Sequence, residues 1–258
     1  GYGTIGHLIG TELKTEQFAE IKIIGVLDPV LTEGKARELF TEKISVYKDI
    51  NQVITIKPDL VIEAANTEVA KQYTPLLLSK GINVMSMSVG AYLDAEVMSK
   101  IKNEAKGRLY ISSGALPCVD AVKAASVRGI NVVQLTTRKR PLALRGAPGL
   151  AHSDIDLDKI TEPRVVFEGN AFEAVKAFPA NVNIAATLSL AGVGPLRTNV
   201  KIIADPFVER NIHTILLEGD FGKLESTIEC LPSDNPKTSL IAALSAIALL
   251  KDLITPVK

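Results

Sequence analysis

Residues 1–6 read Gly1-Tyr2-Gly3-Thr4-Ile5-Gly6, the G-x-G-x-x-G pattern of a loop between a strand and a helix. The first glycine permits a tight turn, the second lets the backbone approach a pyrophosphate, and the third lets the helix pack on the sheet. All of these residues except Tyr2 are therefore candidate cofactor contacts. Alone the pattern is weak, because an ordinary glycine turn before a surface helix has the same composition.

A second part of a dinucleotide-binding fingerprint follows this loop. Residues 21–27 read as a strand, and Asp28 ends it roughly 20 residues past the last glycine, where an acid accepts a hydrogen bond from a ribose 2′-hydroxyl. A carboxylate there repels a 2′-phosphate. Asp28 therefore predicts NAD as the cofactor, with NADP as a possible substitute.

The strand that normally precedes such a loop is missing from the sequence, which begins with Gly1 rather than Met. A dinucleotide-binding sheet needs a buried strand of about five residues there, because the neighbouring strands pair with it. We therefore expect the natural protein to carry further residues ahead of Gly1, which an intact-mass measurement would detect.

Composition excludes several classes of protein. The 258 residues are 47% hydrophobic and 22% charged, which suffices for one large or two modest folded domains. A formal net charge of zero provides no overall field for nucleic acid or an anionic membrane. No apolar run approaches the about 20 residues of a membrane span. Cys118 and Cys230 are far apart, without a C-x-x-C metal motif, which fits a reduced cytoplasmic protein.

The order of predicted elements divides the chain into two domains. Residues 1–112 alternate strand-like and helix-like segments, which predicts an α/β domain with a doubly wound parallel sheet of the Rossmann type. Residues 33–40 look helical, and Asn66 and Asp94 are predicted to cap two further helices. Strand candidates at 198–204, 212–217 and 224–230 predict an α+β second domain with an open sheet. The apolar helix at the C-terminus could return to the first domain. We therefore predict a dinucleotide-binding domain over 1–112 and 237–258, and a catalytic and dimerisation domain over 113–236.

Small residues follow several strands of these domains, at the edge where open α/β sheets bind ligands. Such residues let a nicotinamide lie against the backbone, although they are also common in tight turns. The candidate cofactor contacts at these strand ends are Ala64, Ala65, Ser88, Val89, Gly90 and Ala115.

Polar residues of the second domain could serve a substrate. His213 follows Asn211 by two positions in a predicted strand, so both side chains project from one face. A neutral imidazole beside an amide suits proton transfer, although a lone strand histidine is more often structural. Basic residues at 138–140 would suit a dicarboxylate, although a solvated charge run is commoner.

Taken together, these segments resemble the L-aspartate dehydrogenase family over nearly the whole chain. The segments that carry the resemblance are GYGTIG at 1–6, SVGA at 88–91, SGA at 113–115, TTRK at 136–139, FEGNA at 167–171, FPANVNIAATLSLAG at 178–192, DP at 205–206, RNIH at 210–213 and NPKTS at 235–239.

The resemblance implies a Rossmann domain joined to a catalytic domain similar to that of dihydrodipicolinate reductase, in a homodimer that uses NAD or NADP. It implies oxidation of L-aspartate to iminosuccinate, then oxaloacetate and ammonia, with the imine often feeding NAD biosynthesis. The family's catalytic histidine matches His213 and its neighbouring asparagine matches Asn211. The asparagine-rich helix start matches Asn181 and Asn183, which become candidate cofactor contacts.

We therefore expect L-aspartate to bind in a cleft between the domains, with His213 as the general acid/base that activates water. The candidate partners of its carboxylates are Asn211, Ser113 and one of Lys139 or Arg140.

Two departures from the family pattern leave alternatives open. Residues 114–120 read GALPCVD where the family commonly has G-A-I-G-G-hydrophobic-D, and Cys230 stands where it often has asparagine. The first departure favours another amino- or imino-acid oxidoreductase of the same two-domain plan. A non-catalytic dinucleotide-binding protein is the other alternative, against which the pair His213 and Asn211 argues.

Overall fold

The computed structural model describes residues 1–35, 44–151, 153–179, 183–231 and 239–255. The chain forms two compact units, the first comprising Gly1–Ser112 with Ala243–Lys258 and the second comprising Ser113–Ala242. No helix in the described ranges is long and apolar enough to cross a membrane.

The first unit is built from parallel strands and helices. Its strands are β1 (Gly25–Leu27), β2 (Ser45–Tyr47), β3 (Leu60–Glu63), β4 (Asn83–Ser86) and β5 (Leu109–Ile111). Its helices are α1 (Thr4–Glu12), α2 (Ile50–Ile56), α3 (Thr67–Ser79) and α4 (Ala95–Glu104), with 3₁₀ helices at Glu16–Phe18 and Val89–Leu93. Strand β1 pairs with β2, and β3, β4 and β5 pair in that order, all in parallel. The predicted α/β architecture is confirmed.

Two details of this unit differ from the sequence prediction. The described strands form a two-stranded and a three-stranded sheet rather than one, and a cavity of about 920 Å³ is lined by residues of both sheets. The strand predicted over 21–27 is paired only at Gly25–Leu27. A helix predicted over 33–40 falls largely outside the described residues.

Side-chain caps place the helices that follow β3 and β4. Asn66 Oδ1 accepts a hydrogen bond from Val69 N at 3.0 Å and begins α3, and Asp94 Oδ1 accepts one from Glu96 N at 3.0 Å and begins α4. Both caps were predicted from the sequence, because Asn and Asp satisfy the free N–H groups of a first helical turn. Each helix therefore starts a few residues past the carboxyl end of a strand.

The second unit is an open sheet with helices on its buried face. Its strands are β6 (Ile130–Lys139), β7 (Arg164–Asn170), β8 (Asn199–Ala204), β9 (Asn211–Gly219) and β10 (Gly222–Cys230). Its helices are α5 (Val119–Arg128), α6 (Ala171–Ala177) and α7 (Asn183–Ala191). The strand order is β10-β9-β6-β8-β7, with β6 and β8 parallel and the other neighbours antiparallel. The predicted α+β open sheet is confirmed, whereas β7 and α5 were not predicted.

The last helix, α8 (Leu240–Ile254), begins in the second unit and continues into the first. Within the first unit Ala246 and Leu250 of α8 pack with Ile9 and Leu13 of α1 and with Met85 of β4. All five side chains are buried. This core holds α1, and with it the glycine loop, against the three-stranded sheet.

Polar residues occupy one end of the buried face of the second sheet. Along β9 burial alternates, and Ile215 and Leu217 are fully buried on the same face as Asn211 and His213. His213 lies directly opposite Thr137 of β6. A polar patch at the end of an otherwise apolar face is costly unless its groups are hydrogen-bonded, so it marks a candidate site.

Candidate active site

The glycines of the first loop have different surroundings. A Cβ added at Gly6 would lie 2.4 Å from the carbonyl oxygen of Gly1, so only glycine lets α1 approach the loop this closely. A Cβ added at Gly3 would meet no atom within 4 Å. The space above Gly3 is thus open, as a ligand that approaches the backbone requires.

The first turn of α1 faces this space with free N–H groups. Gly3 is the N-cap, and its carbonyl accepts the first intrahelical hydrogen bond from His7 N at 2.8 Å. No side chain of the described residues caps this helix. The amides of Thr4, Ile5 and Gly6 are therefore placed to receive an anion such as a pyrophosphate.

Asp28 lies beside the same loop, at the end of β1. Its carboxylate accepts hydrogen bonds from Tyr2 N at 2.7 Å, Val30 N at 2.9 Å and Leu31 N at 3.0 Å. Burial alone would raise the pKa of Asp28, but these backbone hydrogen bonds outweigh it and lower the pKa below its ordinary value. Asp28 is consequently an anionic acceptor fixed next to the glycine loop.

The turn after β3 also reaches the loop. A Cβ added at Gly1 would lie 3.0 Å from the Cβ of Ala65 and 3.2 Å from the carbonyl oxygen of Ala64. After β4, Ser88 precedes the 3₁₀ helix Val89–Leu93, in which Val89 and Gly90 are buried. The structure thus brings Ala64 and Ala65 to the glycine loop, and places Ser88 at the end of the adjacent strand.

A second polar group surrounds His213 at the end of the five-stranded sheet. We call it the His213 cluster, and its buried members are Thr137, Lys139, Asn211, His213, Cys230 and Ser239. Thr137 Oγ1 lies 3.0 Å from His213 Nδ1, and Asn211 Nδ2 donates to Ser239 Oγ at 3.2 Å. Cys230 is paired with Asn211 across β9 and β10. The cluster therefore gathers residues from three strands and from the segment before α8.

Burial governs the charges in the His213 cluster. Burial, and to a smaller extent the positive charge of Lys139, lower the pKa of His213 to about 3. Burial also lowers the pKa of Lys139 to about 8, against an opposing effect of Cys230. At neutral pH the cluster thus combines a neutral imidazole with an ammonium group, a combination that suits an anionic ligand and proton transfer.

Because side chains alternate along β6, the basic residues at 138–140 lie in different surroundings. Lys139 is 2% exposed and shares a face with Thr137, whereas Arg138 donates to Asp205 Oδ2 at 2.7 Å. Arg140 is exposed and donates from Nε to the carbonyl of Val208 at 2.8 Å. Of the two cations considered for a substrate carboxylate, Lys139 is the one that belongs to the cluster.

The remaining predicted site residues lie elsewhere in the second unit. Ser113 and Ala115 are half-buried in the turn before α5, where the carbonyl of Ser113 accepts a hydrogen bond from Leu116 N. Asn183 is the first residue of α7, and its carbonyl accepts from Thr187 Oγ1 at 3.2 Å. Asn181 lies outside the described residues.

Two family profiles match successive parts of the chain. A profile described as "Aspartate dehydrogenase, C-terminal" matches residues 120–253, and one described as "Homoserine dehydrogenase, NAD binding domain" matches residues 1–109. An L-aspartate dehydrogenase of Methanosarcina acetivorans is 49% identical over 234 residues, which are 88% of this chain and 86% of that protein. The chain belongs to the L-aspartate dehydrogenase family.

More distant members of the L-aspartate dehydrogenase family match at greater length. The protein of that name from Bradyrhizobium diazoefficiens is 39% identical over 256 residues, covering 97% of this chain and 89% of its own. The crystal structure of aspartate dehydrogenase from Thermotoga maritima superposes with a TM-score of 0.76 at 25% identity, over 100% of this chain and 96% of that one. The family resemblance inferred from sequence motifs is confirmed.

One departure from the family pattern has a clear backbone consequence. Cys118 is the N-cap of α5 and has φ 58° and ψ 31°, the left-handed region that favours glycine. The family commonly has glycine at this place. The Sγ atom of the exposed Cys118 lies 3.6 Å from Ser226 Oγ. A cysteine here therefore strains the turn after Ala115, while the His213 cluster does not include it.

Sequence reasoning missed three residues of these sites. Thr137 and Ser239 appeared only within motifs that carry the family resemblance, and Glu63 was not singled out although it directly precedes Ala64. The alternation of β6 could have indicated Thr137, since it lies two residues before Lys139. No local signal indicates Ser239 or the full set of bonds to Glu63, because Asn211 lies 28 residues from Ser239, and Ser86 and Ser88 lie 23 and 25 residues from Glu63.

Proposed function

We propose that this protein is an NAD(P)-dependent L-aspartate dehydrogenase, which converts L-aspartate to iminosuccinate and then to oxaloacetate and ammonia. The observation that carries the proposal is the buried group of His213, Asn211 and Lys139, within the region that matches the aspartate dehydrogenase profile. Curated relatives named L-aspartate dehydrogenase, 49% identical in one case, support the choice of substrate.

The residues at the glycine loop fit a dinucleotide. The open space above Gly3 and the uncapped first turn of α1 suit the pyrophosphate, and Asp28 suits the adenosine ribose. When bound, the nicotinamide would supply the hydride acceptor for the reaction. The chain itself contributes the anion-binding amides and the fixed carboxylate that hold the cofactor.

Lys48 supports a preference for NAD over NADP. Its Nζ donates to the carbonyl oxygens of Asp28 at 2.8 Å, Pro29 at 3.2 Å and Leu31 at 2.5 Å. An ammonium has three N–H donors, so these bonds use its whole capacity and leave none for a 2′-phosphate. A kcat/KM that is higher with NADP than with NAD would contradict this preference.

Lys139 and Asn211 are the groups that we assign to the substrate carboxylates. A buried ammonium binds a carboxylate strongly, and an amide adds direction to the contact. The substrate also changes the electrostatics of the cluster. Because L-aspartate carries two carboxylates, its binding offsets the charge of Lys139, the smaller of the two causes that lower the pKa of His213, and so raises that pKa above its ligand-free value.

His213 is the general acid/base in this proposal. Once the Cα hydride has left, the imine carbon needs water as a nucleophile, and the imidazole takes a proton from that water. Thr137 holds Nδ1, so Nε2 is the nitrogen left for this exchange. The same nitrogen can return the proton to the departing amine, which releases ammonia.

A substrate panel tests the activity. Purified protein is mixed with NAD or NADP and with L-aspartate, D-aspartate, L-glutamate, L-alanine or L-homoserine, and NADH or NADPH fluorescence is followed. We expect L-aspartate to give the highest kcat/KM. A second candidate, an oxidoreductase for a related amino acid, is favoured by the departure from the family pattern at Leu116-Pro117-Cys118, where Cys118 has a left-handed backbone. A higher kcat/KM with another amino acid would establish it.

We also propose that the enzyme is a cytoplasmic homodimer that supplies iminosuccinate to NAD biosynthesis. The support is the family resemblance, together with the free thiols of Cys118 and Cys230, which fit a reducing compartment. Light scattering after size-exclusion chromatography tests the dimer, and a mass of one 27.6 kDa chain would contradict it.

A further inference from the structure

We infer that Glu63 is a positioning residue for the dinucleotide, because its buried carboxylate ties together the two turns that follow β3 and β4. This inference rests on the proposed function only in assigning a nicotinamide dinucleotide to this edge of the first unit. Glu63 is the last residue of β3, and its side chain is turned away from solvent, with 7% of the residue exposed.

Four hydrogen bonds reach the Glu63 carboxylate. Oε1 accepts from Ala65 N at 2.8 Å and from Ser88 Oγ at 2.9 Å. Oε2 accepts from Ser86 Oγ at 2.6 Å and from Ser88 N at 3.1 Å. Each oxygen thus receives two donors, and the donors come from both turns.

These bonds connect three segments that the cofactor would contact. A Cβ added at Gly1 would lie 3.0 Å from the Cβ of Ala65, closer than ordinary van der Waals contact, so the turn after β3 also abuts the glycine loop. Ser88 leads directly into the 3₁₀ helix that contains Val89 and Gly90. One side chain therefore fixes the spacing between the glycine loop, the turn after β3 and the turn after β4.

Only a carboxylate can serve all four donors. A glutamine has the same shape, but its NH₂ group is a donor and would face two of the donors that now point at an oxygen. At least one turn must then move or leave a buried donor unsatisfied. The affinity for any ligand that binds across both turns should then fall. Removing a side chain that orients a metal ligand costs about 10–100-fold in affinity or activity, and we expect a loss of similar size for the dinucleotide.

The test is direct binding of NADH, measured by fluorescence titration of the full chain. For Glu63→Gln we expect the Kd for NADH to rise about tenfold or more, with KM for NAD rising in step while KM for L-aspartate stays unchanged. Ser86→Ala removes one of the four bonds without touching a turn residue, and we expect a smaller rise in the same direction. Ser86→Ala also decides the matter if Glu63→Gln does not fold.

A matched control separates positioning from general stability. Asp94 is a carboxylate of the same unit whose side chain accepts hydrogen bonds from the amides of Glu96 and Val97 and pairs with Lys71, so none of its side-chain bonds reaches Ala65, Ser86 or Ser88. Asp94→Asn should lower the melting temperature and leave the Kd for NADH unchanged. If Glu63→Gln and Ser86→Ala both bind NADH within twofold of the wild type, the inference is wrong, whatever their stability.

The binding readout keeps this result apart from the proposed activity. A wild-type protein that binds NADH but does not oxidise L-aspartate removes the activity, while the two Kd values still decide the role of Glu63. A wild-type protein that binds neither NADH nor NADPH overturns both.

Discussion

Thr137 and His213 lie opposite one another on β6 and β9, and Thr137 Oγ1 is 3.0 Å from His213 Nδ1. The two residues are 0% and 2% exposed, so this hydrogen bond is shielded from bulk solvent. A hydroxyl can donate or accept, and it therefore holds the ring in either neutral tautomer without adding charge. The ring orientation is thereby fixed while the imidazole stays uncharged.

The role of this hydrogen bond is tested by removing only the hydroxyl. We expect Thr137→Val to lower kcat about tenfold, by analogy with the loss of about 10–100-fold that follows removal of the hydrogen-bond partner of a metal-bound histidine. KM for NAD should not change, because Thr137 is not among the residues assigned to the cofactor and its hydroxyl is bonded to His213. Thr137→Ser keeps the hydroxyl and should recover most of the lost turnover. Equal kcat values for the valine and wild-type enzymes would show that the bond is only structural.

The ammonium of Lys139 predicts a pH dependence of anion binding. Its pKa of about 8 means that Lys139 loses its charge as the pH rises through 8 in the ligand-free enzyme. Succinate has no amino group and keeps both charges above neutral pH, so its inhibition constant isolates this titration. We expect that constant to be flat below pH 8 and to rise about tenfold per pH unit above it.

Lys139→Met provides the control for this profile. The variant should bind succinate weakly at all pH values, with no break near pH 8. A wild-type inhibition constant that stays level to pH 10 would assign the carboxylate to another cation.

Substitutions at two glycines of the loop should affect stability and NADH binding separately. Gly6→Ala places a Cβ 2.4 Å from the Gly1 carbonyl oxygen, and we expect a loss of stability of about 1–3 kcal/mol from overpacking. Gly3→Ala meets no protein atom within 4 Å, so the melting temperature should hold while the Kd for NADH rises. Thermal unfolding and NADH titration of both variants check this. Unchanged NADH binding by Gly3→Ala would place the pyrophosphate elsewhere.

The strained turn at Cys118 should be relieved by the residue that the family uses. Because Cys118 has φ 58°, Cys118→Gly removes a left-handed cost of roughly 1–2 kcal/mol, partly offset by the larger entropy of the unfolded chain. We expect a net gain of about 0.5–1 kcal/mol in the free energy of unfolding by urea. Cys118→Ala keeps the strain and should give no such gain. A glycine variant no more stable than the alanine variant would mean that the turn is not strained.

Local signals in the sequence were sufficient for many elements. The caps at Asn66 and Asp94 and the alternation along β9 depend on residues within one turn or one strand, and these predictions are confirmed. The strand β7 was missed, because Glu168 and Gly169 interrupt its apolar pattern. Its extended conformation is stabilised by antiparallel pairing with β8, which a local pattern does not indicate. Helix α5 was missed because Pro117 and Cys118 obscure its start.

Much of the candidate site could not be predicted from the sequence, because its contacts join residues that are distant along the chain. Strand alternation could have placed Lys139 inside and Arg140 outside, but only the register of β6 against β9 brings Thr137 to His213, 76 residues away. The carboxylate of Glu63 is similar, since three of its donors lie 23 to 25 residues further on. Such pairings depend on the whole sheet, which no single segment of sequence specifies.

The most direct measurement of the central claim follows the hydrogen at Cα. L-Aspartate deuterated at Cα is incubated with NAD and the protein, and the NADH formed is analysed by mass spectrometry. We predict NADH that carries one deuterium, formed about 10²–10⁴-fold more slowly by His213→Ala, which should bind NADH as well as the wild type does. Unlabelled NADH, no NADH, or an undiminished rate in His213→Ala would contradict the account.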